Sequence, residues 1–116
     1  MPSVKGHSLM NPKTYRHKII HGLSLDEAQT AAFNAITKYS SQYANIVTID
    51  WEDSCRASIS IRFPPNELKG MVTINEDAIR LSIQDVPFGL RPFAPRALNA
   101  IEKEAWERIN LIKANR

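Results

Sequence analysis

The stretch CRASISIRFPPNELKGMVTINEDAIRLSI, residues 55–83, decides the fold. Cys55, Ala57, Ile59, Ile61 and Phe63 alternate with Arg56, Ser58, Ser60 and Arg62. That period of two is the mark of a strand with one dry face and one wet face. Pro64-Pro65-Asn66 ends the run and turns the chain. Gly70, Val72 and Ile74 then alternate with Met71 and Thr73, Asn75-Glu76-Asp77 makes a second turn, and Ile79, Leu81 and Ile83 alternate with Arg80, Ser82 and Gln84. Just upstream, Val47, Ile49 and Trp51 alternate with Thr48 and Asp50. Links this short join antiparallel neighbours, so the four runs predict a meander.

Working outward, Tyr15 to His21 alternates in the same way and reads as a further strand. Ser24 stands three residues before Glu27, the spacing of a capping box, in which each residue satisfies the other's backbone N–H. Asp26 and Glu27 also suit the positive end of a helix dipole. The helix then runs to about Ser41, with Leu25, Ala28, Ala32, Ala35, Ile36, Tyr39 and Tyr43 on one stripe. A last helix spans about Ala94 to Ala114, its stripe marked by Leu98, Ile101, Ala105, Ile109 and Ile112. The order is β-α-β-β-β-β-α. Two amphipathic helices and one apolar sheet face cover each other most economically as an α+β fold: a five-stranded, mostly antiparallel sheet with both helices packed on one face. The pattern leaves the place of the first strand in the sheet open. Residues 1–13 read as a flexible N-terminal tail and 14–116 as a single domain.

Bulk properties narrow the class. A chain of 116 residues, 43% hydrophobic and 23% charged, suits one soluble globular domain. A net charge of +3 is weaker than nucleic-acid binding usually needs. Both ends are basic, and the region from Asp26 to Asp53 is acidic. Cys55 is the only cysteine, so no internal disulfide forms. No apolar run reaches the ~20 residues of a membrane-spanning helix, and the first residues lack the apolar core of a secretory signal. The expectation is a cytoplasmic protein without a transmembrane segment.

With these features in order, the chain resembles the small bacterial proteins of the polyhydroxyalkanoic acid system (granule-region) family, from about Tyr15 to Asn110. His21-Gly22-Leu23-Ser24 with Glu27-Ala28 looks like the family's H-x-L-S-x-x-E-A helix start. Trp51, Phe63, Gly70-x-Val72, Ile79 with Leu81, Leu90-Arg91-Pro92 and Ile101 follow in the family's order. Pro64-Pro65 and the N-terminal tail depart from its pattern. The resemblance implies association with polyester storage granules and implies no reaction.

Candidate chemistry is sparse. His17 and His21, four apart in a strand, lie roughly 13 Å from one another, too far to share a metal ion. Cys55 is in phase with Ile59 and Ile61 and reads as a small buried hydrophobe. Asp50, Glu52 and Asp53 sit at a wet turn, where nothing shifts a carboxylate for acid–base work. We identify no catalytic residue, no metal ligand and no cofactor motif. Arg56, Arg62 and Arg80, with Ser58, Ser60 and Ser82, form a candidate anion-binding face on the wet side of the sheet. The segment VPFGLRPFAPR, residues 86–96, supplies the other candidate. Phe88, Leu90, Arg91 and Phe93, with Trp106 beyond it, could line a site for a partner or ligand. The competing expectation is that Phe88, Leu90 and Phe93 only close the core while Arg91 and Arg96 stay outside.

The leading expectation is a non-enzymatic accessory protein that acts by binding or assembly, with a granule, a protein or a second copy as partner. The alternatives are a binder of a small apolar ligand between the sheet and the last helix, and a weak nucleic-acid or anion binder using the arginine face. Nucleic acid is the least favoured partner, because exposed aromatics for base stacking are missing from that face.

Overall fold

A computed structural model of the chain describes residues 13–116. The tail expected for residues 1–13 therefore lies, apart from Lys13, outside the described residues. The element order is β1 (Lys13–Ile20), α1 (Leu25–Gln42), β2 (Val47–Asp53), β3 (Arg56–Phe63), β4 (Asn66–Ile74), β5 (Ala78–Val86), a 3-10 turn (Phe88–Leu90) and α2 (Phe93–Ala114). The strands form one sheet in the order β1-β5-β4-β3-β2, and every neighbouring pair is antiparallel. The α+β reading holds. The open question of the first strand is answered: β1 is an edge strand beside β5.

One face of the sheet is dry. Ile19, Ile59, Ile61, Leu68, Val72, Ile79, Leu81 and Ile83 are all buried there. The two helices pack on each other and close this face with Ala28, Ala31, Ala32, Ala35 and Ile36 from α1, and Ala94, Ala97, Leu98, Ile101, Ala105 and Ile109 from α2. The many alanines let the helices lie close to the strands and to each other. Alanine also loses no side-chain entropy on burial. The capping box forms as the spacing predicts: the Glu27 N–H donates to Ser24 Oγ at 3.2 Å and the Ser24 N–H to Glu27 Oε1 at 3.0 Å.

Two strand boundaries and the burial of two residues differ from the sequence reading. β4 begins at Asn66, where Phe63 and Asn66 pair directly across Pro64-Pro65, whose peptide bond is cis. Leu68 is the in-phase buried residue that this longer strand adds. β5 continues to Val86 through a bulge at which Asp85 takes φ 53°, and there one residue of β1 faces two of β5. Tyr43, expected on the buried stripe of α1, is exposed beyond the last turn. Cys55 is only half-buried. It sits in the β2–β3 turn, where Gln29 Nε2 donates to its sulfur at 3.0 Å.

His21 is fully buried between β1 and α1. The Leu23 N–H donates to its Nδ1 at 2.9 Å, so the proton sits on Nε2, which donates to the Asn75 carbonyl at 3.0 Å. One side chain thus joins the β1–α1 corner to the β4–β5 turn. Gly22, beside it, takes φ +65°.

Candidate functional site

Antiparallel register decides which outer-face side chains meet. Arg16 on β1 faces Ser82 on β5, which faces Met71 on β4. One row along, Lys18 faces Arg80, Arg80 faces Thr73, and Thr73 faces Arg56 on β3. Three strands and two rows therefore bring Arg16, Lys18 and Arg80 around a floor of Met71, Thr73 and Ser82. This floor is a shallow depression of about 370 Å³. Arg56 stands at its far rim.

Of the three arginines singled out in the sequence, Arg80 and Arg56 share this end of the sheet. Arg62 does not. It lies at the opposite end of β3, paired with Glu67, and its Nη2 donates to the Asn45 carbonyl at 2.5 Å. Arg16 and Lys18 take its place. Their alternation against Tyr15, His17 and Ile19 is visible in the sequence, but nothing local says that β1 lies against β5.

The rest of the outer face is different in kind. Ser58 donates to Glu52 at 3.0 Å and Ser60 to Glu67 at 2.6 Å, while Asp50 stands on β2 beside Ser58. Lys69 pairs with Glu67 at 3.7 Å. The sheet face is thus cationic toward β1 and carboxylate-bearing toward β2. Among the described residues, Arg16, Lys18, Arg56 and Arg80 make no ion pair, and the hydroxyls of Thr73 and Ser82 make no hydrogen bond.

The residues expected to form a ligand or partner site at the proline-rich bridge separate. Phe88 is 62% exposed, and the Arg91 guanidinium lies over its ring at 5.1 Å from the centroid. It does not close the core, contrary to the core-closing expectation, and faces water as the partner-site expectation requires. The 3-10 turn carries its ring outward before the core is reached. Phe93 stacks on Phe63 at 5.1 Å and lines a cleft of about 260 Å³ with Tyr39, Tyr43, Ile46 and Ala100. Burial pushes the Tyr39 phenol up, helped by Tyr43. Leu90 is half-buried against the core. Trp106 lies further along α2, where its Nε1 donates to Glu102 Oε2 at 3.3 Å and Glu102 Oε1 holds His17 Nδ1 at 2.7 Å. That network pins α2 to β1 and stands apart from the cleft. Phe33, which no sequence pattern marked, is half exposed and lies against Trp51 at 5.6 Å.

Comparison with known proteins bears on the whole of this architecture. The family model described as "Putative polyhydroxyalkanoic acid system protein (PHA_gran_rgn)" matches residues 17–109, from within β1 to within α2. The chain belongs to this polyhydroxyalkanoic acid system family. The family match takes in both helices, all five strands in whole or part, and most of the cationic depression. No curated protein matches the family member. Among solved structures, it is similar to a TBP-like protein from Parabacteroides distasonis, with a TM-score of 0.49 and 12% identity over 62% of this chain and 53% of that one. The chain spans about half the length of that protein. Among the described residues no cluster of three or more His, Cys, Asp or Glu side chains could hold a metal ion, and no helix is long and apolar enough to cross a membrane.

Proposed function

We propose that this member of the polyhydroxyalkanoic acid system family is a non-enzymatic accessory protein that works by binding, in the cytoplasm and in association with polyester storage granules. The outer face of the sheet is its working surface. The observation that carries the binding part is the set of four cations, Arg16, Lys18, Arg56 and Arg80, which among the described residues make no ion pair and lie on the sheet face opposite both helices. The granule part is supported by family membership.

The test is fractionation of granules from cells that make the tagged protein. The protein should travel with granules on a density gradient. An unchanged distribution in cells without granules would end the reading.

The cleft beside Phe93 supports a second reading, a small apolar ligand held between the sheet and α2. Its lining is largely apolar, but its volume of about 260 Å³ lies just under the ~300 Å³ at which ligand pockets usually begin. Native mass spectrometry of gently purified protein checks it. A bound small mass that disappears in Ala100→Phe supports the ligand, and bare protein removes it.

A further inference from the structure

We infer that the depression among Arg16, Lys18, Arg80, Met71, Thr73 and Ser82 is a binding site for a phosphate group carried by a small soluble molecule. This rests on the reading of the outer face as the binding face and names its ligand.

The number and kind of donors decide between anions. Three cations and two unengaged hydroxyls surround one depression. The three strands hold them on a grid roughly 10 Å by 7 Å, as strand spacing and a two-residue rise dictate. The long Arg and Lys side chains line it from β1 and β5, and Thr73 lines it from β4. A carboxylate brings one charge and two oxygens and would leave donors unmatched. A phosphate monoester brings about two charges and three terminal oxygens, each able to accept from more than one donor. Arginine forks suit such oxygens geometrically, and lysine meets them as a point charge. Met71 at the floor gives an apolar part of the same molecule something to lie on.

The remainder of the face decides between a small molecule and an extended anionic surface. Asp50, Glu52 and Glu67 share the face with the cations. A membrane or a nucleic-acid backbone laid across five strands would meet these carboxylates, whereas a small phosphate meets only the cationic end. The two ends also treat their hydroxyls differently. Ser58 and Ser60 are taken by carboxylates, and Thr73 and Ser82 are left open.

The experiment is an amide NMR titration of the purified full chain with inorganic phosphate and with pyrophosphate, at constant ionic strength. Saturable shifts confined to β1, β4 and β5 around Lys18, Thr73 and Arg80 are expected. Lys18→Gln and Arg80→Gln should each weaken binding by about tenfold or more, the worth of one charge-assisted hydrogen bond. Arg62→Gln, a cation at the other end of the same face, should leave it unchanged. All three positions are exposed, so the variants keep the fold, and their amide spectra verify this. Shifts that acetate reproduces, shifts that never saturate, or equal loss in Arg62→Gln would overturn the site. Flotation with vesicles containing phosphatidylglycerol forms the second arm. Binding to them that pyrophosphate does not displace would overturn the small-molecule assignment. Granule fractionation reports separately: loss of granule association with phosphate binding intact would remove the granule reading alone.

Discussion

Gly70 shows how one hydrogen atom can be obligatory in a sheet. A Cβ at this position would lie 2.6 Å from the Ser82 carbonyl oxygen of the neighbouring strand, with the Ile83 side chain at 3.3 Å. The obstacle is backbone, which cannot swing aside. Gly70→Ala should cost about 1–3 kcal/mol, the usual cost of overpacking, and chemical denaturation measures it. Ser82 belongs to the floor of the cationic depression, so the same variant should also disturb the amide signals there. His21 makes the complementary case. His21→Ala opens a cavity and leaves the buried Leu23 N–H and the Asn75 carbonyl without their partner, for a loss of about 3 kcal/mol, and the melting temperature should fall by ~10 °C or more. Glu27 gives a pH signature. Its hydrogen bond with Arg116, and then that with the Ser24 backbone, hold its carboxyl below the usual value of 4.5. The stability it contributes is fully present above pH 4.5 and fades as pH falls through the lowered value. Wild type and Glu27→Gln should therefore differ near neutrality and converge in acid, as paired thermal melts will show.

Among the elements, those written in local pattern were legible and those fixed by distant neighbours were not. The start of α1 could be read because Ser24 and Glu27 satisfy each other within one turn. The β3 strand could be read because a half-buried strand repeats every two residues. The first residues of β4 were missed because Glu67 and Lys69 are polar outer-face residues, Asn66 is polar and exposed at the strand end although in phase with Leu68, and only Leu68 marks the dry side. The bridge from Phe88 to Phe93 was harder still. Two phenylalanines look like core residues, yet the 3-10 turn directs Phe88 outward and leaves Phe93 at a cleft mouth. Phe88→Ala should thus cost less than about 1 kcal/mol, mostly its contact with Arg91. Ile101→Ala, fully inside the core, should cost about 2–5 kcal/mol. Denaturation of the two variants side by side would reverse this picture if Phe88 proved the more expensive.

At the scale of the whole molecule, strand order did what no single element could. The arginine face was visible as a list of outward residues, but a list has no geometry. Placing β1 beside β5 adds Arg16 and Lys18 to Arg80, and running β3 the length of the sheet takes Arg62 away from Arg56. The same order separates charge across the face, cations toward one edge and carboxylates toward the other. That separation is why a modest net charge of +3 conceals a concentrated positive end.

The pairing of β1 with β5 also sets a schedule. The strands β2 to β5 are joined by tight turns, so their contacts are local and close quickly. β1 must return from the far end of the sequence to find β5, and loop closure over that span is slow and entropically costly. The cationic depression draws on both strands, so it exists only once this last seam has closed. An anion held there would act as a keystone, favouring the closed seam over a frayed one by mass action. Hydrogen exchange would show it: amides of β1 should gain more protection from pyrophosphate than those of β3, and the edge strand least secured by the chain would become the one its ligand secures.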